Sequence, residues 1–111
     1  MNFAPKRGDL IWISFSPQVG HEQAGRRPAV VLSPLSYNRK VGLAIVCPIT
    51  SQVKGLRFEV AIPAGMNISG VILSDQVKNV DWRGRQAEFA GTLPDDVIED
   101  VLAKLNSLLG D

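Results

Sequence analysis

Through the first 90 residues, apolar positions gather in short runs rich in branched and aromatic side chains, each bounded by Gly, Pro, Ser or Asn, as short β-strands require. The runs are Asp9–Ser16, Pro28–Ser33, Val41–Ile49, Leu56–Ile62, Gly70–Leu73, Gln76–Trp82 and Gln86–Phe89. Loops are expected at Pro17–Arg27, Pro34–Lys40, Thr50–Gly55 and Pro63–Ser69. Asp9–Ser16 and Val41–Ile49 are almost continuously apolar, which predicts strands buried on both faces. From Pro94 the period changes: Val97, Ile98, Val101, Leu102, Leu105, Leu108 and Leu109 recur at three- and four-residue spacing. That is one amphipathic helix, with Pro94 suited to its first turn, Asp95 and Asp96 at the positive end of its dipole and Gly110 able to close it. Its leucine stripe is expected to pack on the sheet. Seven strands and one helix predict a mainly β fold with a C-terminal helix: a small, strongly curved antiparallel barrel whose closure removes exposed edges.

At 111 residues the chain has room for one domain, 1–111. No stretch approaches the ~20 apolar residues of a membrane helix, and Lys6 and Arg7 are followed by Gly8 and Asp9 where a secretion signal needs an apolar run. A cytoplasmic protein with no membrane association is expected. Cys47 is the only cysteine; it has no charged neighbour in sequence to make a thiolate, and buried filler is the expected role. With one His and one Cys there is no ligand cluster at zinc-like spacing, so the expected chemistry uses no metal and no cofactor. Net charge is +1, but residues 1–60 hold eight bases against three acids and residues 61–111 four against eight. This asymmetry fits a phosphate-attracting face; it equally fits solvated loop ends that share no patch.

Two stretches carry chemistry. His21-Glu22-Gln23-Ala24-Gly25-Arg26-Arg27-Pro28 brings an imidazole, a carboxylate, an amide and two guanidinium groups to the mouth of an apolar strand. A phosphodiester-cutting site needs such a proton acceptor, proton donor and fixed cation. Arg27 draws attention because Pro28 holds its backbone extended on a rigid base. The alternative is structural, with Glu22 pairing Arg26 or Arg27 to tie down a surface loop. In Cys47-Pro48-Ile49-Thr50-Ser51-Gln52, a buried strand ends in hydroxyl and amide side chains, which hold phosphate oxygens or simply terminate strands and form turns.

These blocks, together with Gly8-Asp9-Leu10-Ile11-Trp12, Tyr37-Asn38 and Asp75-Gln76-Val77-Lys78-Asn79-Val80-Asp81-Trp82-Arg83, resemble the MazF/PemK family of toxin endoribonucleases. The likeness runs in family order from Arg7 to the final helix, and its Glu-Gln-x-Gly-x-Arg-Pro block is specific. It implies an SH3-like, CcdB/PemK-type barrel, a homodimer, cleavage of single-stranded RNA at a short sequence, and inhibition by a MazE-like antitoxin that covers the RNA site. The catalytic arginine of the family falls on Arg27, its threonine on Thr50 and its loop glutamate on Glu22; His21 matches a histidine of Kid-like and PemK-like members. Asp75 matches an acid–base aspartate of Kid-like members, but the arginine they place two residues earlier is Leu73 here, which favours the Arg27/Thr50 pair.

The implied reaction uses the RNA's own nucleophile. Glu22 or His21 takes the 2′-OH proton, Arg27 stabilises charge on the phosphoryl oxygens, and Thr50 holds a non-bridging oxygen. Gln23, Arg26, Ser51, Gln52, Lys54, Phe58, Asp75 and Gln76 are candidates for holding RNA by hydrogen bonds, charge or stacking. Trp12 and Trp82 are assigned to packing; Arg39, Lys40, Arg83 and Arg85 are either a phosphate track or solvated surface. Two other readings compete: a CcdB-like toxin that binds gyrase without cutting RNA, and a silent barrel that only binds a peptide. CcdB-type toxins end Trp-Gly-Ile, whereas Leu108-Leu109-Gly110-Asp111 stands here.

Overall fold

The computed structural model describes residues 3–15 and 25–110. Its elements are β1 (Asp9–Phe15), β2 (Gly25–Val31), α1 (Leu35–Val41), β3 (Leu43–Thr50), β4 (Glu59–Ala61), β5 (Val71–Leu73), β6 (Lys78–Asp81), β7 (Glu88–Thr92) and α2 (Asp95–Leu109). All strand pairings are antiparallel, in the order β4-β5-β3-β2-β1-β7, with β6 pairing the first half of β3 on the edge that β5 uses further along.

The three central strands are buried on both faces, as their apolar runs predict. Alternate side chains of β1, β2 and β3 feed two cores. Leu10, Val30, Cys47 and Ile49 join Val60, Ile72, Ala90, Leu93, Ile98 and Val101 on one side. Ile11, Ile13, Ala29, Val31, Ala44 and Val46 join Val80 and Trp82 on the other. Each fully buried branched side chain contributes about 1.5–3 kcal/mol relative to exposure.

The mainly β class with a C-terminal helix is as expected, but the strand path does not close: β4 and β7 remain its ends. Helix α2 covers the gap, since Ile98 and Val101 pack in one cluster with Val60 and Ile62 at the β4 end and Ala90 of β7. A helix laid over two short edges shields them as ring closure would. Its last turn runs beyond the sheet, leaving Leu108 44% and Leu109 73% exposed, so the leucine stripe is core only as far as Leu105.

The stretch expected as a loop at Pro34–Lys40 instead forms α1. Its seven residues carry no apolar stripe, and tertiary bonds hold it in place. Asn38 is fully buried, its side-chain amide donates to Pro5 O (2.8 Å) and Ser33 O (3.0 Å), and its backbone carbonyl accepts from Trp82 Nε1 (3.0 Å). Several strands are shorter than their apolar runs, most of all Leu56–Ile62, of which Glu59–Ala61 pairs. Conversely β2 begins at Gly25, so Arg26 and Arg27 stand on a strand rather than in the preceding loop.

Asp9 is 2% exposed; its Oδ2 accepts from the Lys6 N–H (2.9 Å), while Oδ1 has no hydrogen-bond partner. Burial raises the pKa of this carboxyl above the ordinary aspartate value, against the opposing pull of the Lys6 N–H and charge and of Thr92. A proton is therefore held more tightly in the folded state. The associated stability is present below the ordinary aspartate pKa and is lost as pH rises through the folded value. Denaturant titrations should show the wild type gaining stability relative to Asp9→Asn as pH falls from about 7 to about 4; a constant difference between the two would contradict this account.

Candidate active site

The site is a fork between β2 and β3, and the sequence dictates where it opens. Leu32 N–H donates to Ile45 O (2.8 Å), so the even-numbered residues of β2 turn their backbone groups toward β3. The paired residues are Val31↔Val46, Val30↔Cys47 and Ala29↔Pro48. Pro28 comes next, at a position that should donate to Ile49, and proline has no N–H. The β2–β3 pairing stops there. Beyond it, each strand follows its other neighbour: Arg27 pairs with Ile13 of β1, and Thr50 pairs with Val71 of β5.

A cleft of about 520 Å³ occupies the fork, lined by Gly25, Arg26, Arg27 and Pro28 from β2 and by Ile49, Thr50 and Ser51 from the end of β3. Trp12, Asn67, Ile68 and Ser69 complete it. Arg27 and Thr50 are each two residues beyond the last β2–β3 pair, Ala29↔Pro48, so the two flank the opening. Gln52 N–H donates to Thr50 Oγ1 (3.1 Å). An oxygen that already accepts is left with its own O–H to give, the property required to hold a phosphoryl oxygen.

The other sequence candidates separate sharply. Arg26 lines the cleft, but its guanidinium donates to Ser14 Oγ (2.9 Å), Trp12 O (3.0 Å), Gln86 O (2.7 Å) and Glu88 Oε1 (3.3 Å). It fastens β2 to β1 and to the segment leading into β7. Ser51 faces the cleft, whereas Gln52 and Lys54 are exposed beyond it, in a loop whose Lys54 and Gly55 N–H groups donate to the Glu59 carboxylate at 3.1 and 3.0 Å. Phe58 is half-buried, its carbonyl accepting from Ser74. Asp75 and Gln76 sit in the turn between β5 and β6, outside the cleft lining. His21, Glu22 and Gln23 lie outside the described residues. Cys47 is buried, and desolvation, reinforced by the Asp75 charge, pushes its thiol up to about 12, which leaves it packing rather than chemistry. Among the described residues, no three His, Cys, Asp or Glu side chains gather where a metal ion could be held. Arg83 stacks on Trp82 at 4.8 Å.

Sequence reasoning missed Trp12, Asn67, Ser69 and Gly70. Trp12 packs against the core and also lines the cleft. Gly70, at φ +121°, lies so close to Thr50 that a Cβ would fall 2.2 Å from the Thr50 carbonyl oxygen. That contact needs a glycine, and it fixes the backbone that carries the hydroxyl. The glycine was visible in the sequence; its neighbour was not.

Comparison with known proteins gives the family of the chain. The family model of the PemK-like, MazF-like toxins of type II toxin-antitoxin systems matches residues 6–109. The chain belongs to this family. It is 48% identical over 108 residues to the endoribonuclease toxin MazF of Escherichia coli, covering 97% of this chain and 96% of that one. To the Escherichia coli endoribonuclease PemK it is 32% identical over 108 residues, covering 94% and 81%. The crystal structure of MazE-MazF from Deinococcus radiodurans aligns at a TM-score of 0.93 with 51% identity, covering 98% of each chain. As a PemK/MazF-family fold, the fork should be sensitive to its glycine contact: Gly70→Ala is expected to lose about 2 kcal/mol or more, through backbone strain and the clash with Thr50. Thermal unfolding measures this, and an unchanged melting temperature would contradict it.

Proposed function

We propose that this chain is the endoribonuclease toxin of a type II toxin–antitoxin pair, cutting single-stranded RNA at a short sequence in the cytoplasm, independently of the ribosome and without a metal. Family membership supports the activity, and the fork supports the chemistry: Arg27 and Thr50 line one cleft, from opposite walls.

A phosphodiester of RNA carries an attacking group next to it. When a base removes the 2′-OH proton, that oxygen attacks phosphorus in line, the bond to the 5′ oxygen breaks, and the products are a 2′,3′-cyclic phosphate and a 5′-OH end. The base is Glu22 or His21, which precede Gly25 and the cleft in sequence. Negative charge grows on the non-bridging oxygens as the attack proceeds. Arg27 answers it with a fixed cation in a fork geometry suited to phosphate, and Thr50 gives its O–H to one of those oxygens. Both groups are set by strands before substrate arrives, so little reorganisation is spent during the reaction. Ser51, beside Thr50, adds a hydroxyl to the same wall.

The toxin works as a homodimer and is silenced by a MazE-like antitoxin whose tail covers the cleft; the Deinococcus radiodurans relative is a MazE-MazF structure. Incubating the purified protein with a long single-stranded RNA in EDTA, then mapping the ends, should give cuts bearing 5′-OH and cyclic phosphate. No cutting, with binding to a gyrase subunit instead, would overturn the reading. Arg27→Ala and Thr50→Val are each expected to lower cleavage about a hundredfold or more while changing stability by no more than about 0.5 kcal/mol, as exposed or half-exposed positions allow. A fully active Arg27→Ala protein would remove that residue from the reaction.

A further inference from the structure

The wall of the fork facing β2 and β3 is the connection between β4 and β5, and it is built with more constraints than a spacer needs. Ile68 is 4% exposed and anchored in the core, with Asn67 and Ser69 exposed on either side of it and lining the cleft. Ile62 N–H closes the loop onto Gly70 O (3.0 Å), and Gly70 abuts the Thr50 backbone. Asn67 Nδ2 donates to Ala90 O on β7 (3.0 Å).

That last bond settles which end of the amide is available. A backbone carbonyl only accepts, so the NH₂ group faces Ala90; the carbonyl end, Oδ1, takes no part in that bond and has no hydrogen-bond partner among the described residues, while Asn67 itself lines the cleft. A tethered side chain on a pinned loop has already surrendered its rotamer freedom, so a contact made through it costs little further ordering.

Resting on the endoribonuclease reading, we propose that Asn67 is a specificity-determining residue: its Oδ1 accepts a hydrogen bond from the exocyclic amino group of one RNA base beside the scissile phosphate. The amino group meant is the one at C6 of adenine or C4 of cytosine, the position distinct from C2, where guanine carries its own. At C6 of guanine and C4 of uracil stands a carbonyl, which would set acceptor against acceptor. Asn67 thus reads amino against keto at one nucleotide, while Arg27 and Thr50, which touch phosphate, read none.

Two measurements test this. Cut sites are mapped on a mixed-sequence single-stranded RNA for the wild type, Asn67→Ala and Arg27→Ala. The expected result is that Asn67→Ala still cuts but loses about tenfold of its amino-over-keto preference at one position. A folded Asn67→Ala protein with an unchanged cut profile, or with all cutting abolished, would overturn the proposal. The second measurement does not depend on how well the variant folds. Replacing each adenosine in turn by purine riboside, which lacks the amino group, and each cytidine by its 4-deamino analogue should lower wild-type kcat/KM at one position by about tenfold and leave Asn67→Ala indifferent there. Equal losses in both proteins would also overturn it. Failure of the wild type itself to cut RNA would instead sink the endoribonuclease reading.

Discussion

The cleft between β2 and β3 opens where one backbone hydrogen bond cannot form. Strands β2 and β3 pair from Val31 and Val46 to Ala29 and Pro48, and the next donor on that edge would be residue 28, which is proline. A sheet that lost this bond in its interior would simply be weakened. Here the loss falls where both strands have other partners, so β2 continues along β1 and β3 continues along β5. The strands part, and the two side chains next beyond the break, Arg27 and Thr50, line the two sides of the opening. A cation and a hydroxyl are thereby carried on strands at the mouth of one cleft.

Everything around the fork keeps it from closing or drifting. On one side Arg26 is fixed to Ser14, Trp12 and Gln86, which holds the end of β2 against β1. On the other, Gly70 presses on the Thr50 carbonyl and Ile68 locks the third wall into the core. The two cores above and below β1–β3 supply the stiffness, and α2 seals the gap between β4 and β7 that the incomplete ring leaves. Rigidity of this kind is what the proposed reaction calls for, because a donor that must move to meet a developing oxyanion gives back much of what it contributes.

Periodicity made the strands and the C-terminal helix legible in the sequence, since α2 repeats its apolar residues at helical spacing and β1 and β3 are apolar on both faces. Helix α1 was not, because Leu-Ser-Tyr-Asn-Arg-Lys-Val has no stripe and is held by the bonds of Asn38 to nearby Ser33 and to Pro5 and Trp82, which are distant in the chain. The same divide runs through the site. Arg27 and Thr50 stood out as polar groups at the ends of apolar strands. Arg27 was set apart from Arg26 by the proline that follows it, but that Arg26 is tied to β1 and to the segment before β7 shows only in the fold. Asn67, Ser69 and Gly70 belong to a stretch with no motif of its own, and they meet the cleft through β4–β5 pairing and the burial of Ile68, which no local pattern announces.

The most direct measurement is a crystal structure with a short RNA whose scissile 2′ position is methylated so that it binds without reacting. The phosphate next to that sugar should lie within hydrogen-bond reach of both the Arg27 guanidinium and the Thr50 hydroxyl, between the parted ends of β2 and β3. A phosphate bound elsewhere on the sheet, or held by one of the two groups while the other faces solvent, would contradict the account.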